Sequence, residues 1–217
     1  MRQPSRQHPR RRGTFRRPLR VIRVLSEGKV TEPGYLNLWA RLNRHNVRLD
    51  VNDRGMTPDA LVRRAKQHMK RNLRSRPSER EFDEIWCVFD VDQHANLAQA
   101  IDDARQSEIN IAISNPCFEL WLVLHREEQT AHVDRHDIQQ RSDELQLTAN
   151  KHVLPAAEPI LVDGVENAKQ RARALDRWHA GNGSPRRENP STDVWRLVDR
   201  LRAGLRGSTP RQPGPRG

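Results

Sequence analysis

Acidic side chains follow two of the apolar segments in this sequence, at positions where they could hold a metal ion. Glu27 comes just after residues 21–25 (VIRVL), and Asp90 and Asp92 come just after residues 85–89 (IWCVF). Both segments are short and rich in β-branched or aromatic residues, which is typical of buried strands. Ligands of an open parallel sheet bind beyond the carboxyl ends of its strands, so we expect the three carboxylates at one edge.

Carboxylates that lie close together repel one another and raise one another's pKa, and a divalent cation relieves that repulsion. Oxygen ligands without a cysteine pair favour Mg²⁺ or Mn²⁺ over zinc. The sequence therefore predicts metal-assisted phosphoryl transfer or phosphodiester hydrolysis, with Glu27, Asp90 and Asp92 as catalytic and metal-binding residues. An Asp-x-Asp alone is a weaker signal, because it also occurs in sugar-nucleotide transferases, aspartyl phosphatases and ordinary strand-to-loop turns.

Two classes of phosphoryl-transfer protein do not fit the sequence. An aspartyl phosphatase needs its nucleophilic Asp after the first strand, where this chain has Glu27. A P-loop kinase or helicase needs G-x-x-x-x-G-K-[ST], which is absent. Primase-like nucleotidyl transfer stays open as a third interpretation, although we identify no nucleotide pocket in the sequence.

Three further residues near these strand ends could belong to the same site. Glu32 and Glu119 could complete the metal site, but each falls in the predicted first turn of a helix, where an acid also complements the helix dipole. Lys29 could neutralise charge on a transferring phosphoryl group, with a solvent-exposed lysine as the alternative. Asn115 is expected to N-cap the helix that follows it.

The apolar pattern alternates between strand and helix periodicity, which predicts an α/β fold with a mostly parallel, four-stranded sheet flanked by helices. Strands are predicted at residues 21–25, 47–51, 85–89 and 109–113. Helices are predicted at residues 32–44, with Thr31 as the N-cap, at 57–72, 95–107, from 115, and then at 134–146, 164–179 and 192–204. The last three predict a helical C-terminal part.

The net charge of +11 is carried by the two ends of the chain. Eight Arg in residues 1–20 and three in residues 203–217 account for the whole excess, and neither segment has an acid. These ends are expected to be disordered. Within the neutral remainder, the helix predicted at 57–72 is a candidate nucleic-acid track, or else a solvated face. Its basic residues, with one just beyond it, are Arg63, Arg64, Lys66, Lys70, Arg71 and Arg74.

Two negative observations bear on location and on cysteine chemistry. No stretch approaches the roughly 18 apolar residues of a membrane span, and the Arg-rich N-terminus lacks the apolar segment of a signal peptide, so we expect a cytoplasmic protein. Cys87 and Cys117 lie inside apolar segments without C-x-x-C spacing, which predicts buried, reduced thiols.

A Glu after the first strand together with Asp-x-Asp after a later strand resembles the Toprim domain of topoisomerases, bacterial primases and overcoming-lysogenization-defect nucleases. Longer segments resemble the RloB-like family, which is related to the phage abortive-infection protein AbiLii. They are residues 26–35 (SEGKVTEPGY), 88–94 (VFDVDQH), 113–125 (ISNPCFELWLVLH), and 189–192 (NPST) followed by Val194, Leu197, Val198 and Leu201.

This resemblance covers roughly residues 20–205 and implies a Toprim-like, Rossmannoid domain. The implied layout is a disordered tail at 1–19, a Toprim-like α/β domain at 20–127, its helical C-terminal part at 128–205 and a second tail at 206–217. The implied activity is a Mg²⁺- or Mn²⁺-dependent nuclease of anti-phage defence that acts on DNA or RNA, with an ATPase encoded nearby as a possible partner. The alternative is a non-catalytic module that binds nucleic acid or regulates such an ATPase.

Overall fold

The computed structural model describes residues 19–44, 47–52, 56–91 and 96–203. The candidate metal ligand Asp92 lies outside the described residues, as do residues 1–18 and 204–217 of the two tails predicted to be disordered. Among the described helices, none has the length and apolar character needed to cross a membrane.

Seven strands and eight α-helices make up the described chain. The strands are β1 (Arg20–Ser26), β2 (Val47–Asn52), β3 (Glu84–Asp90), β4 (Asn110–Asn115), β5 (Thr148–Ala149), β6 (His152–Val153) and β7 (Ser191–Thr192). The helices are α1 (Thr31–Leu42), α2 (Pro58–Arg74), α3 (Leu97–Gln106), α4 (Glu119–Val123), α5 (Arg135–Glu144), α6 (Glu158–Asp163), α7 (Val165–Gly181) and α8 (Val194–Arg202). Short 3₁₀ turns lie at Pro77–Glu79 and Pro155–Ala157.

Five of the strands form one sheet in the order β2-β1-β3-β4-β7, and β5 and β6 form a separate hairpin. The first four strands of the chain pair with one another in parallel, as predicted. The predicted α/β class is therefore confirmed. The sheet also has a fifth strand, β7, which runs antiparallel to β4 and pairs Ser114 with Thr192.

Alternate residues of the central strands supply two separate apolar cores. Ile22, Val24 and Val88 face the core shared with α1, α4, α7 and α8, whereas Leu25 and Phe89 face the core shared with α2 and α3. Helices on both faces explain the continuous apolar sequence of β3, because neither face of that strand meets water. Cys87 and Cys117 are buried free thiols, as predicted.

The connections leave the sheet in opposite directions at the carboxyl ends of β1 and β3. From β1 the chain passes to α1 on one face, and from β3 it passes to α3 on the other, although the two strands are neighbours. This divergence is a topological switch point, and it leaves a crevice between the two strand ends. Glu27 and Asp90 stand at its two sides.

Candidate functional site

A cleft of about 340 Å³ opens at this switch point, and we name it the acidic cleft. Its lining brings together five of the residues predicted from the sequence, Glu27, Lys29, Glu32, Asp90 and Glu119. The other lining residues are Gly28, Val30, Thr31, Phe118, Arg135, Gln139 and Lys151. Residues from the β1–α1 loop, β3, α4, α5 and the β5–β6 hairpin therefore meet at one place.

Glu27 bridges the two diverging strands. Its backbone N–H donates to the Val88 carbonyl at 2.9 Å, which extends the β1–β3 pairing beyond the end of β1. Its side-chain Oε2 accepts a hydrogen bond from the Asp90 backbone N–H at 3.3 Å. The Glu27 carboxylate is thereby held beside the carboxyl end of β3.

Glu32 is buried, only 5% exposed, rather than lying on the surface of the first turn of α1. Its Oε1 accepts a hydrogen bond from the Gly28 backbone N–H at 2.9 Å, so the carboxylate folds back against the β1–α1 loop. Its pKa is raised from 4.5 to about 7, chiefly by burial and also by the nearby charges of Glu119 and Glu27, against hydrogen bonds that lower it. The carboxylate is thus costly to ionise.

Gly28 leaves the space that the Glu32 carboxylate occupies. A Cβ at residue 28 would lie 1.9 Å from Glu32 Oε2. Any side chain there would push the carboxylate out of its hydrogen bond with the loop. The close approach of backbone and carboxylate therefore explains why glycine follows Glu27.

Asp90, at the end of β3, also has a raised pKa. Burial raises its pKa well above the ordinary value, and the negative charge of Glu32 raises it further. The Arg135 guanidinium, 3.4 Å from Asp90 Oδ2, acts in the opposite direction and favours the ionised form. Arg135 is the first residue of α5, so its ion pair with Asp90 connects that helix to the end of β3.

Thr31 and Glu119 connect the two sides of the acidic cleft. Thr31 Oγ1 lies 2.9 Å from Glu119 Oε1 and 2.9 Å from the Lys151 carbonyl oxygen, and its one hydroxyl proton can serve either acceptor. The predicted N-cap role of Thr31 is wrong, because Val30 occupies the N-cap position and Thr31 is a buried residue of α1 itself. Its hydroxyl bonds to residues far along the chain instead.

The donor chemistry of the acidic cleft suits a hard divalent cation. Buried carboxylates with raised pKa values are groups whose repulsion a cation would relieve. Across residues 19–44, 47–52, 56–91 and 96–203, however, no group of three or more acidic, His or Cys side chains has an arrangement that could hold a metal ion. Glu27 and Asp90 are adjacent, and Asp92 lies outside the described residues.

Sequence reasoning missed two cations of this site, Arg135 and Lys151. Arg135 stands at the start of α5 and Lys151 in the hairpin between β5 and β6, both far in sequence from the strand ends. Neither belongs to a local motif, so no signal in the sequence marks them. They become part of the site only through the packing of the C-terminal helical part against α1 and α4.

The basic residues of α2 do not line the acidic cleft. Arg63, Lys66 and Lys70 line a separate groove between α2 and α3. Asn72, near the end of α2, donates to the Phe82 carbonyl at 2.9 Å, just before β3 begins. Arg71 and Arg74 therefore lie toward the amino edge of the sheet, opposite the acidic cleft, and Arg64 is half-buried beside Met56.

Two other polar residues near the site have structural partners. The Asn115 side chain donates to the Arg187 carbonyl at 2.7 Å and does not cap α4, so the predicted capping role is wrong. His125 is buried, with Nδ1 2.8 Å from the Trp121 carbonyl oxygen and Nε2 3.2 Å from the Tyr35 hydroxyl. These contacts make His125 part of the core.

Comparison with known proteins gives a family for this chain. The model of the RloB-like protein family matches residues 22–201, which includes nearly all of every described strand and helix. No curated protein and no solved structure matches the chain. The matched range contains the whole acidic cleft, and the chain belongs to the RloB-like family.

Proposed function

We propose that this protein is a Toprim-type nuclease that hydrolyses phosphodiester bonds of DNA or RNA with Mg²⁺ or Mn²⁺. The observation that carries the proposal is the pairing of Glu27 and Asp90 across the switch point, in a cleft where burial and neighbouring acids raise the pKa of Asp90. A Glu after β1 and an Asp at the end of a neighbouring strand are the positions that the Toprim pattern requires. The family's implied role in anti-phage defence supports the same activity.

In this proposal each residue of the acidic cleft has a distinct task. Glu27 and Asp90, with Asp92 as the third acid of the pattern, hold the cation, and Glu32 and Glu119 are further candidate ligands. A bound Mg²⁺ or Mn²⁺ would supply a nucleophilic water and stabilise charge on the phosphate. Arg135 balances the charge of Asp90 while it is ionised, and Lys29 stands in the β1–α1 loop beside the substrate phosphate.

A polyanionic substrate in the cytoplasm is part of this proposal, and a basic groove separate from the acidic cleft supports the polyanionic character of that substrate. The groove between α2 and α3 presents Arg63, Lys66 and Lys70 on one side. A basic row of this kind would hold a nucleic-acid backbone by phosphate contacts. An ATPase encoded nearby is the proposed partner, because a nuclease active without restraint would damage the DNA or RNA of its own cell.

The experiment is a cleavage panel of plasmid DNA, single-stranded DNA and tRNA, with Mg²⁺ or Mn²⁺ and with EDTA. The intact protein is compared with Glu27→Gln and Asp90→Asn, which keep the side-chain shape and remove the charge. Glu128→Gln is the matched control, since Glu128 is an exposed acid outside the acidic cleft. Cleavage that needs the metal, is lost in the first two variants and is kept in the control supports the proposal.

A second candidate function is a non-catalytic module that binds nucleic acid or regulates an ATPase. It is favoured by one observation, that the described residues hold no group of three or more acidic, His or Cys side chains arranged for a metal ion. The two functions differ in cation binding. The nuclease proposal is rejected in favour of the non-catalytic module if calorimetry detects no binding of Mn²⁺ and no nucleic acid is cleaved with or without the neighbouring gene product.

A further inference from the structure

The hairpin between β5 and β6 holds Lys151 in a backbone conformation that lysine rarely adopts. Ala149 pairs with His152, so Asn150 and Lys151 form a two-residue loop. Their φ angles are +50° and +70°, which are the left-handed values of a type I′ turn. Asn suits the first central position of this turn, and glycine is the residue that suits the second.

The loop is held firmly against the acidic cleft. The Lys151 carbonyl oxygen lies 2.9 Å from Thr31 Oγ1, and the Gly34 Cα faces the Val153 side chain closely enough that an added Cβ would be in contact at 3.5 Å. The Thr148 hydroxyl, at the other end of the hairpin, donates to Asp143 Oδ1 at 2.6 Å and lies 2.8 Å from the Ser142 hydroxyl, and both of these residues belong to α5. The tip of the hairpin is thereby placed between α1 and α5.

The charge of Lys151 has no partner within the described residues. It lines the acidic cleft and also the adjoining pocket that contains Glu119, yet no described acid forms an ion pair with it. The residue is exposed, in contrast to the buried carboxylates beside it. A polyanion that approaches these carboxylates is repelled unless cations at the rim attract its phosphates.

We propose that Lys151 is a substrate-binding residue that contacts a phosphate of nucleic acid entering the acidic cleft, and that the strained turn places its ammonium group there. This inference rests on the proposed function and names a residue of the same site. Backbone strain concentrates at functional sites where the surrounding structure maintains it. Glycine at residue 151 would relieve the strain and remove the charge, so stability and binding should change in opposite directions.

The test compares Lys151→Gly with Lys151→Arg and with Gln146→Gly, all in the full chain with Asp90→Asn to prevent cleavage. Gln146 is also exposed and left-handed, with φ +56°, at the end of α5, but it does not line the acidic cleft. Binding of labelled single-stranded DNA and RNA 20-mers is measured by fluorescence anisotropy across a range of salt concentrations. Stability is measured as the urea midpoint.

Lys151→Gly should raise the urea midpoint, weaken binding roughly three- to tenfold, and reduce the slope of log affinity against log salt by about 0.7. Lys151→Arg should keep the affinity and the slope. Gln146→Gly should raise the urea midpoint and leave binding unchanged. Lys151→Gly with unchanged affinity and slope, or the absence of any binding by the parent protein, would overturn the inference.

The outcomes separate this inference from the proposed nuclease. Cleavage by the intact protein together with normal binding by Lys151→Gly refutes the substrate role of Lys151 alone. Lys151-dependent binding without cleavage by the intact protein refutes the nuclease and leaves a nucleic-acid-binding cleft in which Lys151 keeps its contact.

Discussion

Asp90 is the last residue of β3 and Glu27 directly follows the neighbouring parallel strand β1, and the Asp90 backbone N–H donates to the Glu27 carboxylate at 3.3 Å. The bond crosses the point where the chain leaves the sheet toward opposite faces. The bond holds the Glu27 carboxylate beside the backbone of Asp90, although the two carboxylates repel each other when both are ionised. The apolar cores on both sides of the sheet therefore maintain an arrangement that the site alone would not favour.

The Gly28→Ala variant tests whether the position of Glu32 matters for cation binding. The added methyl group meets the Glu32 carboxylate, so we expect the carboxylate to leave its hydrogen bond with the loop. Mn²⁺ affinity measured by calorimetry should fall by about tenfold, as for other changes around metal ligands. Gly181→Ala is the control, since a Cβ at residue 181 meets nothing within 4 Å. Equal Mn²⁺ affinities for the two variants would exclude Glu32 from the site.

When no cation is bound, ionisation of Glu32 is expected to lower the free energy of unfolding as the pH rises. Its pKa is about 7 in the folded protein against 4.5 for an ordinary Glu, so the folded state binds the proton more tightly than the unfolded state. The stabilisation is present below pH 4.5 and is lost as pH rises through 7, with an upper limit of about 3 kcal/mol. Urea unfolding of the intact protein and of Glu32→Gln should show this difference.

The proposal predicts which of the two proteins, intact or Glu32→Gln, has the larger free energy of unfolding at each pH. Glu32→Gln should be the more stable protein at pH 8 in EDTA, and the advantage should shrink toward pH 5. Added Mn²⁺ should stabilise the intact protein more than the variant at pH 8. A variant that is less stable than the intact protein at pH 8 would show that the Glu32 charge is already compensated without a cation.

His125 produces the opposite pH dependence. Burial lowers its pKa from 6.5 to about 4, although the Trp121 carbonyl favours the charged form. A lowered folded-state pKa gives stability that is present above pH 6.5 and is lost as pH falls through 4, by up to about 3 kcal/mol. Because Glu32 changes stability in the same pH range, the measurement is the difference in unfolding free energy between the intact protein and His125→Leu.

His125→Leu should be less stable at pH 7.5, since it also leaves the Tyr35 hydroxyl without its partner. The difference between the two proteins should narrow as the pH falls to 4. A difference that stays constant over this range would mean that His125 has the same pKa in the folded and unfolded states, against the lowering expected from its burial.

The groove between α2 and α3 gives a prediction for nucleic-acid binding away from the acidic cleft. Lys70 lines this groove without an ion pair to any described acid, whereas Lys66 lies 3.6 Å from Asp103. Lys70→Gln should therefore lower the salt slope of oligonucleotide binding by about 0.7 to 0.9, and Lys66→Gln by less. The control is Arg105→Gln on α3, outside the groove. If the three variants have equal salt slopes, α2 does not contact the nucleic acid and its exposed basic residues only face solvent.

Much of the sheet could be predicted from the sequence because its strands are covered on both faces. Continuous apolar segments such as residues 85–89 mark such strands directly, and Thr57-Pro58 marks the start of α2 at the residue where it begins. Strand β7 has two residues and no periodicity, so only its pairing with β4 reveals it. That pairing includes a hydrogen bond between the Ser114 and Thr192 hydroxyls, 2.9 Å apart, across 78 residues of chain.

The candidate site was predictable only where it follows strand ends. Glu27 and Asp90 follow from the topology of a parallel sheet, since that topology places the carboxyl ends of neighbouring strands together. Thr31 and Asn115 have the residue types of N-caps, but long-range partners take their side chains instead. Arg135 reaches Asp90 from a helix 45 residues further along the chain. Contacts of this kind depend on packing that local residue patterns do not encode.

Glu108 provides a test of the backbone argument used for Lys151, at a place without a proposed function. It follows the end of α3 with φ +54°, and the Ile109 N–H donates to the Ala104 carbonyl at 2.9 Å, as in a Schellman motif. Glycine is favoured at this position, so Glu108→Gly should stabilise the fold by about 0.5 to 1 kcal/mol in urea unfolding. Glu108→Ala removes the same charge and keeps the Cβ, and it should give no gain. If both variants stabilise the protein equally, the charge of Glu108 and not its left-handed backbone is the cause, and relief of strain could not be used to interpret Lys151→Gly.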